Sequence, residues 1–315
     1  MLSYALRRVM GLVPVMILVT LIVFTLNAHV PGDPGRIRLG QRADPAQVEA
    51  YNRERGYLDP FFVQYARYVK NVTLHLDFGE SDVKSGTSVR AILFDAFALT
   101  WKLAIFGTII ATLLGVAAGV VSAAKSRTIF DHVSMLFAVI GVSTPVFWLG
   151  ILLMIFVAGP LGLPRTGFDR TNAFTEFRSL ILPATALGLI FSATIARLTR
   201  SAMLETLGQD YIRTARSKGL GEVRVVLWHA LRNAAIPIVT VVGNSFSYLL
   251  VGAVLTESVF ALPGLGRTIV DSIVQRDRFV ITGGILLTAL VFVLVNLLVD
   301  LTYGLFDPRV RMSSS

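Results

Sequence analysis

Residues 210–239 read DYIRTARSKGLGEVRVVLWHALRNAAIPIV. This is the longest polar interruption in the second half of a very apolar chain. It carries Arg213, Arg216, Lys218, Arg224 and Arg232 against Asp210 and Glu222. Leu204, Leu207, Tyr211 and Ala215 recur at three- and four-residue steps, which predicts one face of a helix. Gly219-Leu220-Gly221 breaks that helix. Val223, Val226, Leu227, Ala230 and Leu231 then form a second amphipathic face. Pro237 restarts the chain as an apolar helix, where its missing N–H does no harm. The order is helix, glycine turn, short amphipathic helix, membrane. A plain basic loop between two membrane spans fits the same residues.

The rest of the chain makes the membrane reading firm. Hydrophobic residues are 54% of the 315, charged residues only 16%, and the formal net charge is +9. An ordinary soluble domain is less apolar than this. The positive charge suits an anionic inner leaflet, because no aromatic-interleaved basic groove of the nucleic-acid type is visible. There is no cysteine, which excludes disulfides, thiolate metal sites and cysteine nucleophiles.

Six apolar runs are long enough to cross a hydrocarbon core of ~30 Å. The first is Val9 to Val30. It is too long for a typical signal-peptide core and lacks a convincing A-x-A site, although Arg7-Arg8 invites a twin-arginine reading. The others are Thr100 to Ala124, Ile129 to Val157, Leu180 to Leu198, Ile238 to Glu257 and Phe279 to Thr302. The second is rich in small residues that allow close helix contact: Gly107, Ala111, Gly115, Ala118 and Gly119. Ser143-Thr144-Pro145 interrupts the third near its middle. Between the first two spans, residues 31–95 form the one long polar segment. Pro45 to Arg55 is predicted as a helix capped by Asp44. The aromatic run Phe61 to Val69 fits either a helix lying at the membrane interface or the segment's own core.

Arginines and lysines concentrate in the short segments that would then face the cytoplasm: Arg7, Arg8, Lys125, Arg127, Arg200, residues 210–232, Arg309 and Arg311. Both termini are therefore expected inside. The domains expected are 1–30 (cytoplasmic N-terminus and first span), 31–95 (extracytoplasmic segment), 96–305 (a five-helix core with a polar loop at 199–237) and 306–315 (cytoplasmic tail).

Little here supports chemistry by the chain alone. No G-x-x-x-x-G-K-[ST] is present to cradle a nucleotide, and there is no H-E-x-x-H. His29, His75, His132 and His229 lie far apart in sequence. A secondary carrier uses buried ionisable groups for its coupling ion. Lys102, Arg197, Glu257 and Asp300 instead fall near predicted span ends, where snorkelling or interfacial hydration suffices. Asn244 and Asn296 are neutral and suit hydrogen bonds between helices. Energy is therefore expected from a partner protein acting at the amphipathic loop.

Several motifs carry a resemblance. Tyr211 to Leu220, followed by His229-Ala230-Leu231-Arg232-Asn233-Ala234, resembles the coupling loop of binding-protein-dependent ABC importer permeases, most closely the dipeptide/oligopeptide/nickel subgroup. The family pattern is Glu-Ala-Ala, three residues, Gly; Ala215 and Gly219 match it, while Arg213 and Thr214 stand at the Glu and first Ala. Pro31-Gly32-Asp33-Pro34-Gly35, Asp77-Phe78-Gly79-Glu80-Ser81, Pro263-Gly264-Leu265-Gly266-Arg267 and Asp307-Pro308-Arg309-Val310-Arg311 are similar to the same subgroup. The resemblance implies an all-α integral membrane protein of about six transmembrane helices, with a type I ABC importer permease core and an extracytoplasmic insert after the first helix. It implies a non-catalytic permease subunit in the cytoplasmic membrane, moving peptides. Partners would be a second homologous permease subunit, one or two ATPase subunits and an extracytoplasmic solute-binding protein. ATP and Mg would sit on those partners, with no cofactor or metal on this chain and no nucleic acid. Ala215, Lys218, Gly219, Leu220, Val223 and Leu227 would couple to the ATPase. Ser143, Thr144, Asn244, Ser245 and Ser247 are candidates for the solute path. Nickel chelates, glutathione and heme are alternative solutes. A secondary carrier, a channel and a non-transporting scaffold are alternative roles.

Overall fold

A computed structural model describes residues 2–29, 32–40, 42–84 and 86–306. The described residues are helical, with one isolated antiparallel bridge between Glu80 and Ser88. Pro31 and the Asp307–Arg311 tail motif fall outside them. The chain divides into two compact units: residues 101–262 with the chain from 294, and residues 2–100 with 263–293. These boundaries differ from the expected cuts at 30 and 95. The polar segment shares one buried core with the first turns of the second span and the start of the last.

In the larger unit the central element is α8 (Ala173–Leu207). It begins with a capping box, the Asn172 side chain accepting from the Phe174 and Thr175 N–H groups. About 61% of its apolar window is buried, far more than in the other spans. Helix α5 (Val89–Ala124) lies against it through glycines. A Cβ at Gly115 would sit 2.7 Å from Ile195 Cβ and from Ser192 O; one at Gly119 would sit 2.6 Å from Ala196 O and Thr199 Cβ. Gly188 on α8 reciprocates, at 2.6 Å from Ile110 Cγ2. The expected small-residue face is thus a backbone-to-backbone contact.

Helix α6 (Ile129–Ser143) also packs on α8, and so does α7 (Val146–Phe156). The two are bent by 108° at Thr144-Pro145, where the proline supplies no N–H and caps α7. Helix α12 (Ala235–Gly252) packs on α8 too, and α13 (Val254–Val259) follows it. Between α8 and α12 run α9 (Asp210–Ser217), α10 (Glu222–Arg224), a π-helical turn (Val225–Ala230) and α11 (Leu231–Asn233).

The smaller unit holds α1 (Leu2–Ala28), α2 (Pro34–Leu39), α3 (Pro45–Glu54), α4 (Phe61–His75), α14 (Leu265–Gln275) and the first turns of α5 and α15 (Arg278–Phe306). Asp44 caps α3 as expected, accepting from the Ala46 N–H at 3.2 Å. Asp33 caps α2 and also accepts from Asn52 Nδ2 at 2.9 Å, so one carboxylate locks two helices. That hydrogen bond holds the Asp33 carboxyl below its usual value. Gly35 makes the contact possible: a Cβ there would be 2.9 Å from Asn52 Oδ1. The aromatic run divides its roles. Tyr68 is buried in the unit's core, Phe61 and Tyr65 ring-pack against Phe24 of α1, and Phe62 is exposed.

Four described helices are long and apolar enough to cross a membrane, and the bent α6–α7 pair makes a fifth. The apolar Val13–Ala28 part of α1 is shorter, and the six-span reading rests on counting it. The spans differ from expectation at their ends. The second starts at Val89 and the fourth at Ala173, because polar caps and the smaller unit's core extend the helices beyond their apolar windows. The fifth breaks at Ala253, and Glu257, expected at a hydrated end, is fully buried. Leu262 N–H donates to its carbonyl at 2.8 Å, folding the chain back over it. Residues 265–275 form α14, so a helix begins inside the Pro263-Gly264-Leu265-Gly266-Arg267 motif, with Leu265 and Ser272 inward and Val270, Ile273 and Val274 exposed.

Replacing Gly119 by Val should destabilise the protein by about 1–3 kcal/mol or more, since backbone cannot move aside as a side chain can. Gly252→Ala, whose Cβ meets nothing within 4 Å, should leave the melting temperature in detergent unchanged or slightly raised.

Candidate coupling surface and solute path

The stretch that opened the sequence reading folds as two short helices around a glycine turn, with one correction. Leu204 and Leu207 belong to α8, which ends at Gly208; Tyr211 and Ala215 belong to the separate helix α9. The apolar period survives the break because both helices lay that face on one core. Met203, Ile212 and Ala215 are buried there with Val120 and Ala123 of α5, Val225, Val226, Ala230, Ala234 and Ile238.

The turn depends on Gly219, whose φ of +78° is reached by other residues only with strain. Its N–H donates to Arg216 O at 2.9 Å, and Leu220 N–H to Ala215 O at 3.4 Å. Arg216 and Glu222 clasp the turn from its two sides: Nε to Oε2 at 3.1 Å and Nη2 to Oε1 at 2.6 Å. The guanidinium holds the Glu222 carboxyl below its usual value. Lys218 is exposed at the end of α9, and Leu220 is half-buried against the core.

The expected second face does not hold as one stripe. Val226 and Ala230 point inward, but Val223 is 73% and Leu227 52% exposed. The π turn is the cause: Leu231 N–H bonds to Val226 O, five residues back, which rotates the phase of the helix. Val225 joins the core, while Val223, Leu227 and Trp228 form an outward apolar patch. Arg224 and Glu222 border its shallow depression, and Arg232 lies 5.9 Å from the Trp228 ring centroid. Trp228 lies off the predicted second face of Val223, Val226, Leu227, Ala230 and Leu231. The signal for it is an exposed aromatic beside a charged rim, which a strict 3.6-residue period places at the wrong angle.

The patch has a firm backing. Asp131 at the start of α6 accepts from Arg200 Nε at 2.7 Å and Nη2 at 2.8 Å, from Ser122 Oγ at 2.5 Å and from Arg127 N–H at 2.9 Å. This ties α5, α6 and α8 together in the turns that also supply Ala123 and Ala202 to the core.

The solute-path candidates fall on two helix groups, both packed on α8. Ser143 is exposed at the end of α6, and Thr144 Oγ1 donates to Ile140 O at 2.7 Å. On α12, Asn244 is exposed with Tyr248 one turn on. Ser245 and Ser247 are buried, one on each flank of that exposed stripe. Ser245 Oγ donates to Val241 O at 2.7 Å; Ser247 Oγ donates to Gly243 O at 3.3 Å and reaches Asn296 Oδ1 at 3.5 Å.

Comparison with known proteins places this geometry. Residues 115–312 match the family described as binding-protein-dependent transport system inner membrane component, and residues 1–104 match the N-terminal part described for such components. The chain is 41% identical to a dipeptide transport system permease protein, DppB, of Alkalihalophilus pseudofirmus, covering 99% of this chain and 100% of that one. It is 43% identical to a di/tripeptide transport system permease protein of Pseudomonas aeruginosa, with 99% of each covered. A glutathione transport system permease protein, GsiC, of Salmonella paratyphi A is 41% identical, again over 99% of each. The fold is similar to a chain of the inward-facing MetNI methionine ABC transporter, with a TM-score of 0.58 over 69% of this chain and 97% of that one, at 16% identity.

Asp131→Asn should lower stability by about 1–3 kcal/mol, because the partly exposed Arg200 loses a charged hydrogen-bond partner. Arg216→Gln, which removes a solvent-exposed pair, should change it by less than about 1 kcal/mol. Thermal unfolding of the two variants in the same detergent checks the contrast.

Proposed function

This chain belongs to the inner membrane components of binding-protein-dependent transport systems, and on that premise we propose that it is one of two paired permease subunits of an ATP-driven peptide importer. The observation that carries the coupling part is the patch of Val223, Leu227 and Trp228, turned outward from a buried apolar core. An exposed apolar cluster with a charged rim, on short helices outside the membrane-length runs, is what a docking partner covers. That partner is an ATPase subunit, which holds ATP and Mg. Gly219 sets the angle at which the patch is offered. When the ATPases close, the load passes from the patch through the shared core to α5 and α8, and the permeases switch between outward and inward access.

Peptide as the solute is supported by the names of the relatives, which specify dipeptides, di- and tripeptides and glutathione. The basic short segments put both termini and the coupling patch in the cytoplasm. The segment after α1 then lies on the outer face, where it contacts the solute-binding protein. The path runs between this chain and its partner permease along the exposed face of α12, at Asn244 and Tyr248, and past Ser143 at the α6–α7 bend.

In proteoliposomes containing the full transporter, Leu227→Asp should release the ATPase subunits while the permease pair stays folded. Gly219→Val should keep the ATPases bound but lose most peptide uptake per ATP hydrolysed. Normal coupled uptake by both variants would refute docking at this surface. For the path, Asn244→Trp should block uptake in a normally assembled complex, whereas Ser245→Trp should fail at assembly. Unimpaired transport by Asn244→Trp would remove that face from the route.

A further inference from the structure

Helix α4 carries two unlike sides. Phe61, Tyr65, Tyr68 and Val72 recur at four- and three-residue steps and turn inward. Tyr68 and Val72 join the smaller unit's core. Phe61, Tyr65 and Tyr68 all ring-pack on Phe24 of α1, at 5.5, 5.6 and 5.8 Å between centroids. On the outward side Val63, Ala66, Lys70 and Leu74 line up, with Phe62 beside them. That side is apolar and open: Phe62 is 76% exposed, Leu74 67% and Val63 47%.

The contacts with α1 fix the depth at which α4 lies. Asn27 Nδ2 donates to Thr282 Oγ1 at 2.7 Å. This levels the end of α1 with the first turns of α15, a helix long and apolar enough to cross a membrane. Phe24 precedes Asn27 by nearly one turn. Tyr65 reaches further still, its hydroxyl donating to Ile17 O at 3.2 Å. Ile17 precedes Asn27 by ten residues, a rise of ~15 Å and about half of a ~30 Å hydrocarbon core. A phenol at that depth has no water to bond, and a helix carbonyl gives it an acceptor.

The exposed side chains along this part of α1 are Leu18, Ile22 and Leu26, which suit acyl chains. Phe62 continues the same apolar surface, because its ring packs edge-on against Phe61 at 5.4 Å and Phe61 packs on Phe24. A soluble binding protein docks from the aqueous side, and side chains level with Phe24 are below its reach. Two cations interrupt the outward side. Arg67 pairs with Asp59. Lys70 is exposed, and its long stem lets the ammonium rise to lipid phosphates.

We propose that α4 is an interfacial helix seated in the outer leaflet, with Phe62 and Val63 among the acyl chains and Lys70 at the phospholipid phosphates. It rests on the reading above that α1 crosses the membrane and ends on the outer face. The segment after α1 is then held to the bilayer by its own side chains, not only by the spans it joins.

The chain has no cysteine, so a nitroxide on it marks only an introduced one, and the labelled unsubstituted complex supplies the background of the partner chains. The complex of both permeases with their ATPases is placed in nanodiscs of phosphatidylethanolamine and phosphatidylglycerol. Collisions of each label with oxygen, which concentrates in lipid, are compared with collisions with a water-soluble nickel chelate. Phe62→Cys and Val63→Cys replace outward side chains, and both labels should favour oxygen, as should Leu18→Cys on α1. Glu49→Cys on the exposed side of α3 should favour the chelate, with Lys70→Cys between. Labels at 62 and 63 that favour the chelate, while the label at 18 favours oxygen, would overturn the seating of α4 and leave α1 as a span. Labels shielded from both probes, or shielded only once the binding protein is added, would overturn it in favour of a protein contact. A label at 18 that favours the chelate removes the reading of α1 as a span, and this inference with it.

Discussion

Lipid offers helices no hydrophobic reason to prefer each other over its own chains, so what holds α5 on α8 is how closely their backbones meet. Gly115, Gly119 and Gly188 set that distance, with no room for a single added carbon. Most of the larger unit is referred to this pair. Helices α6, α7 and α12 pack on α8, the Asp131–Arg200 pair pins α6 to it, and the core beneath the outward apolar patch draws on the ends of both α5 and α8. A close contact between two backbones leaves few alternative registers, and this makes α8 a fixed reference for whatever moves against it.

The segment from α9 to α11 shows how such a scaffold serves an exposed surface. Inward residues Ile212, Ala215, Val225, Val226 and Ala230 are gripped by the core, and outward residues Val223, Leu227 and Trp228 touch solvent. The π turn separates the two sets by adding a residue to the ladder, so adjacent apolar side chains serve opposite purposes. In the smaller unit the Asp77–Ser81 motif does comparable work. Ser81 Oγ donates to the Asp277 carboxylate, Asp82 N–H donates to it at 3.2 Å, and the same carboxylate receives the Val280 N–H at 3.3 Å at the start of the last helix.

Much of this was legible from residues alone. The Asp44 cap, the glycine turn at 219, the small-residue face of the second span and the interruption at Ser143-Thr144-Pro145 each follow from local rules that no tertiary contact overrides. The failures have physical causes. The break at Gly208 was hidden because the apolar period continues across it, both helices facing one core. The split of the second amphipathic face was hidden because periodicity assumes 3.6 residues per turn. Helix α14 was lost in a glycine- and proline-rich approach, and the burial of Glu257 depends on a fold-back that sequence distance conceals. Among the path candidates, composition treats Asn244, Ser245 and Ser247 of α12 alike, and the structure divides the exposed Asn244 from the buried Ser245 and Ser247.

The bend between α6 and α7 bears on how the protein is made. Helices of 15 and 11 residues rise roughly 22 and 16 Å, each short of a bilayer's ~30 Å of hydrocarbon. Neither half of such a segment is long enough to span lipid alone, and the ladder breaks at Thr144-Pro145, where the Thr144 N–H bonds back to Gly141 O at 3.4 Å. The element that shelters both halves is α8, and it leaves the ribosome later. The bent pair therefore gains its packing partner only after its own synthesis is complete.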